Sequence, residues 1–193
     1  MRHEGIGLPL RRSQVDTDQI LPSRYLKRLT RSGYEDGLFA AWRASPEFVL
    51  NRPAFTNATV MVAGPDFGIG SSREAAVWAL QNYGFRVVIA PRFGDIFRTN
   101  AGKSGLLVVL MSEARVERLW AYLEASPGAT VLVDLERCLV STAGGFEESF
   151  TVDADTRWRL LNGLAEIDIT MKYETDITDF ETRRPAFKPS VTL

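Results

Sequence analysis

The residues best suited to chemistry lie in the run Asp66-Phe67-Gly68-Ile69-Gly70-Ser71-Ser72-Arg73-Glu74. Two hydroxyls and a guanidinium follow a glycine-flexed turn there. Before it, Thr59-Val60-Met61-Val62-Ala63 reads as a buried strand; after it, Ala75-Ala76-Val77-Trp78-Ala79-Leu80 reads as an alanine-rich helix. The first amides of a helix lack intrahelical partners and sit at the positive end of its dipole, so such a strand-to-helix loop suits an anion. Arg73 adds a planar fork matched to carboxylate or phosphate, and Gly68 and Gly70 let backbone approach a ligand closely. The same field favours a serine alkoxide. Ser71-x-x-Glu74 also satisfies a capping box, in which serine and glutamate only satisfy two backbone donors. On this motif alone both readings stand.

What is missing narrows the chemistry further. Cys138 is the only cysteine and His3 the only histidine. An intrachain disulfide, a Cys/His metal cluster and, apart from the terminal His3, a Ser-His-Asp arrangement are therefore out of reach. Cys138, within Arg137-Cys138-Leu139-Val140, reads as a strand packing residue, and His3 as a solvated end residue. Gly68-x-Gly70-x-x-Arg73 lacks the third glycine of a dinucleotide fingerprint, and no Gly-Lys-Ser/Thr phosphate loop is present. With 23 basic against 24 acidic residues, nothing points to a nucleic acid or an anionic membrane as partner. Small molecules or proteins are expected instead. The amino-terminal residues have no apolar stretch of signal-peptide type, and no segment approaches the roughly 20 apolar residues that span a bilayer, so a cytoplasmic location is expected.

The 193 residues, 45% of them hydrophobic, suffice for a sizeable core in one domain covering 1–193. From Thr59 onward short β-branched runs alternate with helical patterns, among them Val87–Ala90 and Leu106–Leu110, which predicts an α/β fold. Glu113–Ala125 places Val116, Leu119, Trp120 and Leu123 at helical spacing. Thr130–Leu135, Cys138–Ser141 and Ser149–Val152 predict an antiparallel meander turning at Gly144-Gly145, and Arg157–Leu161 a short helix. Residues 23–58 are irregular and rich in aromatics (Tyr25, Tyr34, Phe39, Trp42, Phe48, Phe55), which reads as a loop folded onto its own domain in preference to a partner-facing surface. From about residue 180 to 193 a proline-containing tail is expected on the surface. Near the start, Asp16-Thr17-Asp18-Gln19-Ile20 is a helix cap, a turn, or a pair of carboxylates aimed at a site.

Three motifs occur in order: Asp16-Thr17-Asp18-Gln19-Ile20, then Gly68-x-Gly-Ser-Ser-Arg-Glu, then Val88-Ile89-Ala90-Pro91-Arg92-Phe93-Gly94-Asp95-Ile96-Phe97-Arg98-Thr99-Asn100. Together with Gly37-Leu38-Phe39-x-x-Trp42-Arg43, Arg157–Leu164 and Lys188-Pro189, they make the chain resemble the small subunits of 3-isopropylmalate dehydratase, in the aconitase superfamily. The likeness runs over nearly the whole chain. It implies a swivelling β/β/α three-layer domain with a mixed sheet, completing an active site with a large subunit that carries a [4Fe-4S] cluster on three cysteines. No metal ligand is then expected from this chain. The implied reaction interconverts 2-isopropylmalate and 3-isopropylmalate by removal and return of water, through an unsaturated diacid, in leucine biosynthesis. A small dicarboxylate substrate agrees with the anion-binding character of the motif.

Carried over position by position, the resemblance implies that Ser71 is the base that takes a proton from carbon. Ser72 and Arg73 become carboxylate-binding partners, and Asp18 a supporting residue that orients a basic group or closes the pocket. The cluster iron of the large subunit would be the Lewis acid for the departing hydroxyl. Ala75 stands where these small subunits typically have histidine. A second substrate-binding arginine does not align uniquely, leaving Arg24, Arg28 and Arg31. Two alternatives stay open: a related 2-alkylmalate isomerase of the citramalate type, and a non-catalytic carboxylate-binding module.

Overall fold

The computed structural model describes residues 1–193 except 29, 72, 165, 186 and 188–193, with residue 166 described in its backbone alone. Two compact units are present, Met1–Gly163 and Leu164–Leu193. In the first, the β-branched and leucine runs form a seven-stranded sheet. Its strands are β1 (Arg2–Leu10), β3 (Val60–Ala63), β5 (Val87–Ala90), β6 (Leu107–Leu110), β7 (Thr130–Asp134), β8 (Leu139–Thr142) and β9 (Glu147–Ser149), in the order β6-β5-β3-β1-β7-β8-β9. A separate ribbon pairs β2 (Val15–Asp16) with β4 (Phe67–Ile69). Helices α1 (Thr17–Ile20), α2 (Ala40–Arg43), α3 (Glu74–Tyr83), α4 (Asp95–Ser104), α5 (Glu113–Ala125) and α6 (Ala154–Asn162) complete this unit.

The four strands β6, β5, β3 and β1 are parallel, whereas β1, β7, β8 and β9 run antiparallel to their neighbours. This is the mixed sheet of an α/β fold, as expected. The parallel half needs helical crossovers, which α3 and α4 supply, and its strands are apolar on both faces because both are covered. Alternation along each strand divides the core. Met61, Ala63, Val88 and Ala90 face a cluster containing Ala76, Leu80, Phe97 and the buried aromatics of the 23–58 segment. Val60, Val62, Val87 and Ile89 face the other, against Val116, Leu119, Trp120 and Leu123 of α5. Burying each such side chain contributes about 1.5–3 kcal/mol. The indole of Trp120, buried in this layer, donates to the Val62 carbonyl at 2.7 Å.

Several expectations are met locally. Residues 23–58 fold onto their own domain, with Tyr34, Phe39, Phe48 and Phe55 buried. The meander turns where Gly145 has φ +81°, and the predicted short helix is α6. Two expectations are corrected. His3 is not a solvated end: it lies within β1, half-buried, with Nε2 2.8 Å from the Thr59 hydroxyl. Cys138 does pack against the core, but from the turn before β8, with φ +51°, and its thiol donates to the Leu135 carbonyl at 3.4 Å.

The second unit contains α7 (Glu166–Met171) and α8 (Glu174–Thr182). Both expose apolar side chains, among them Ile167, Met171, Ile177 and Phe180. The expected tail begins within α8; Arg183, Pro185 and Phe187 are exposed, and residues 188–193 lie outside the described residues. Among the described residues no helix is long and apolar enough to cross a membrane.

Candidate active site

The glycine-rich run leaves the carboxyl end of β3, passes through β4 and enters α3. Crevices at the carboxyl ends of parallel strands are where open α/β sheets bind ligands. The run is held on both sides by backbone hydrogen bonds: Gly64 N–H to Arg12 O at 2.9 Å and Gln14 N–H to Pro65 O at 2.9 Å on one flank, Phe67 N–H to Arg92 O at 3.1 Å and Gly94 N–H to Phe67 O at 2.9 Å on the other. Asp66 adopts φ +62°, which aspartate tolerates better than most residues, and its carboxylate accepts from both Nε and Nη2 of Arg92. That pair holds the Asp66 carboxyl below its usual range. Gly68, at φ +76°, has no room for a side chain, since a Cβ there would overlap the Phe97 ring. Thus the third sequence motif, Val88–Asn100, forms β5 and the start of α4 and braces the turn from beneath.

At the end of the turn Gly70 has φ +87°, and Ser71 follows as an exposed residue whose hydroxyl has no hydrogen bond among the described residues. Helix α3 begins at Glu74, with Arg73 at its N-cap and no side-chain capping bond. The capping box is therefore not formed with Ser71. The Glu74 carboxylate instead accepts from the Ser104 hydroxyl at 3.4 Å, across on α4. A helix start whose N-cap Arg73 makes no side-chain capping bond presents electropositive amides beside Ser71.

The short helix α1 packs against this turn. A capping box does form here: Asp16 accepts from Gln19 N–H at 2.7 Å, and the Gln19 side chain accepts from Asp16 N–H at 3.0 Å. The two aspartates thus divide the sequence alternatives between them. Asp16 caps α1, while Asp18 forms an ion pair with Nη1 of Arg73. Between them Thr17 donates its hydroxyl to the Ser71 carbonyl at 2.6 Å. Ser71, Arg73 and Asp18 are therefore brought together; Ser72 lies outside the described residues.

The three arginines left open by the sequence separate in the structure. Arg28 is committed to Asp36 by two hydrogen bonds, of 2.7 and 2.8 Å. Arg24 lies over Tyr25 and Arg31 over Trp78, and neither forms an ion pair among the described residues. Ala75, where the resemblance led to an expectation of histidine, is only 8% exposed and packs with the core below α3. Sequence reading passed over Thr17, Arg92 and Phe97. A lone threonine or arginine has no periodic signal, and only the third motif hinted at the phenylalanine.

A family model described as Aconitase C-terminal domain matches residues 1–114, and a second, LeuD_N, matches residues 117–154. The chain is 57% identical over 191 residues to the 3-isopropylmalate dehydratase small subunit of Nocardioides sp. (strain JS614), covering 97% of this chain and 95% of that protein. To the protein of the same name from Streptomyces coelicolor it is 58% identical over 188 residues, with 97% and 95% covered. A crystal structure of 3-isopropylmalate dehydratase from Methanocaldococcus jannaschii matches with a TM-score of 0.69 and 26% identity, over 93% of this chain and 99% of that one. The chain belongs to the aconitase C-terminal domain family and, within it, to the small subunits of 3-isopropylmalate dehydratase.

Proposed function

We propose that this chain, joined to a large subunit, interconverts 2-isopropylmalate and 3-isopropylmalate by dehydration and rehydration, as a hydro-lyase of leucine biosynthesis. The observation that carries this reading is the exposed Ser71 hydroxyl beside an uncapped helix start and the Arg73 guanidinium. Free serine is far too weak an acid to serve as its own alkoxide near neutral pH. The positive end of α3 and the Arg73 charge both favour the anion, and both also favour a substrate carboxylate alongside it.

In this reading Ser71 Oγ takes the proton from the substrate carbon and later returns one, so that the hydroxyl leaves from one carbon and is restored at the next. Arg73 grips a carboxylate, with Ser72 as its neighbour in the same task. Asp18 keeps the guanidinium oriented before substrate arrives. Arg24 and Arg31 are the arginines left for a second carboxylate. One cysteine and one histidine do not suit a [4Fe-4S] cluster, and among the described residues no group of three or more metal-ligating side chains occurs. A [4Fe-4S] cluster held by the large subunit would supply the Lewis acid for the departing hydroxyl, and residues 1–193 are read as one swivelling domain in the cytoplasm. Neither nucleic acid nor membrane has a part.

The test is anaerobic turnover of 2-isopropylmalate, followed by absorbance of the unsaturated diacid, with this chain alone, with a cluster-loaded large subunit alone and with both. Turnover in the mixture only is the expected result. An inactive mixture in which the complex has formed would contradict the substrate assignment.

A further inference from the structure

We propose that Thr17 is a positioning residue for Ser71, acting through the Ser71 carbonyl oxygen; the inference rests on Ser71 being the base. Thr17 is 2% exposed and, the aromatics Tyr34 and Trp120 aside, is the only buried polar or charged side chain among the described residues. A buried hydroxyl needs a partner, and the one it has is the backbone of the reactive serine, 54 positions away, at 2.6 Å. Among the described residues Ser71 makes no other hydrogen bond. Among the described residues the Thr17 hydroxyl is thus the hydrogen-bond partner that holds the Ser71 backbone.

The donor is held on several sides. The Asp16–Gln19 capping box fixes the entry of α1, Leu21 N–H closes on the Thr17 carbonyl at 2.9 Å, and Ile20 is fully buried. Ser71, in contrast, follows a glycine at φ +87° and is exposed. Without the Thr17 bond the Ser71 carbonyl loses its partner, and the serine hydroxyl is free to shift away from the substrate carbon. A second effect is electrostatic. The Ser71 carbonyl oxygen carries partial negative charge next to a site for carboxylates, and the bond to a buried hydroxyl keeps it directed toward the protein interior.

Chemistry therefore suffers more than binding when the bond is lost, because Arg73 keeps its own partner in Asp18. In the assembled enzyme, Thr17→Val preserves shape and removes the donor. It is expected to lower kcat roughly 10- to 100-fold while KM moves less than about threefold. Thr17→Ser restores the donor and is expected to return kcat to within about threefold of wild type. If Thr17→Val does not assemble, Thr17→Cys, with a weaker donor of similar volume, takes its place and should show an intermediate kcat. Wild-type kcat in Thr17→Val or Thr17→Cys, or a Thr17→Ser enzyme as slow as Thr17→Val, would overturn the inference. Ser71→Ala run in parallel separates the two levels. An active Ser71→Ala enzyme removes the base assignment itself, whereas an inactive one beside a fully active Thr17→Val removes only the role of Thr17.

Discussion

Asp18 and Arg73 are the charged pair to which the proposed mechanism gives substrate orientation, and they are unequally exposed, at 51% and 21% of their side chains. A partly solvated pair contributes little to folding, within about 1 kcal/mol. Its importance lies in where it holds the guanidinium. Asp18→Asn is expected to raise KM for 2-isopropylmalate about tenfold, the equivalent of about 1.4 kcal/mol of binding, with the thermal midpoint nearly unchanged. Steady-state kinetics beside a melting curve checks both halves; a large drop in melting temperature with unaltered KM would make the pair structural. The sequence showed that two carboxylates and a capping pattern share Asp16-Thr17-Asp18-Gln19, but not how they divide. That division depends on which aspartate faces Arg73, and the partner is 55 residues distant. Thr17 was invisible for the same reason: its hydroxyl bonds to a backbone atom remote in sequence.

Among the elements, the turn between β3 and α3 is shaped by what lies under it. Gly68 sits in the left-handed region with the Phe97 ring where a Cβ would go, and a Cβ on Gly94 would meet the Gly68 carbonyl. Gly68→Ala therefore combines backbone strain with a steric overlap, and is expected to cost at least about 2 kcal/mol, or roughly 4–8 °C in melting temperature. Thermal denaturation measures this directly, and an unchanged midpoint would show that the turn is looser than described. The helices and inner strands were legible because their apolar spacing is strong, as in α5. Strand β1 was not, since Gly5, Gly7 and Pro9 interrupt the strand pattern of Arg2–Leu10. Its reason is tertiary. Gly7 lies where a Cβ would overlap Leu123 and Val131, so close packing of α5 and β7 on the central strand requires glycine there.

For the molecule as a whole, the single histidine gives a clean handle on stability. Burial first, and the Arg86 charge second, lower the His3 pKa from its ordinary 6.5. The unfolded chain thus binds a proton at a higher pH than the folded one does. This contribution to stability is fully present above about pH 6.5 and is lost as pH falls through the lowered folded value. The carboxylates held below their usual range, such as Asp134 and Asp153, lose their share only at lower pH. Melting temperature should therefore fall between pH 7 and pH 5 in the wild type and fall less in His3→Gln; equal slopes would show that His3 titrates alike in both states. The assembled enzyme is where the account meets its most direct test, the anaerobic turnover of 2-isopropylmalate by a complex reconstituted with Ser71→Ala. A complex that still assembles and binds substrate but turns over on the order of 10³-fold more slowly is the expected result. Turnover close to that of the wild-type complex would contradict the assignment of Ser71 as the base.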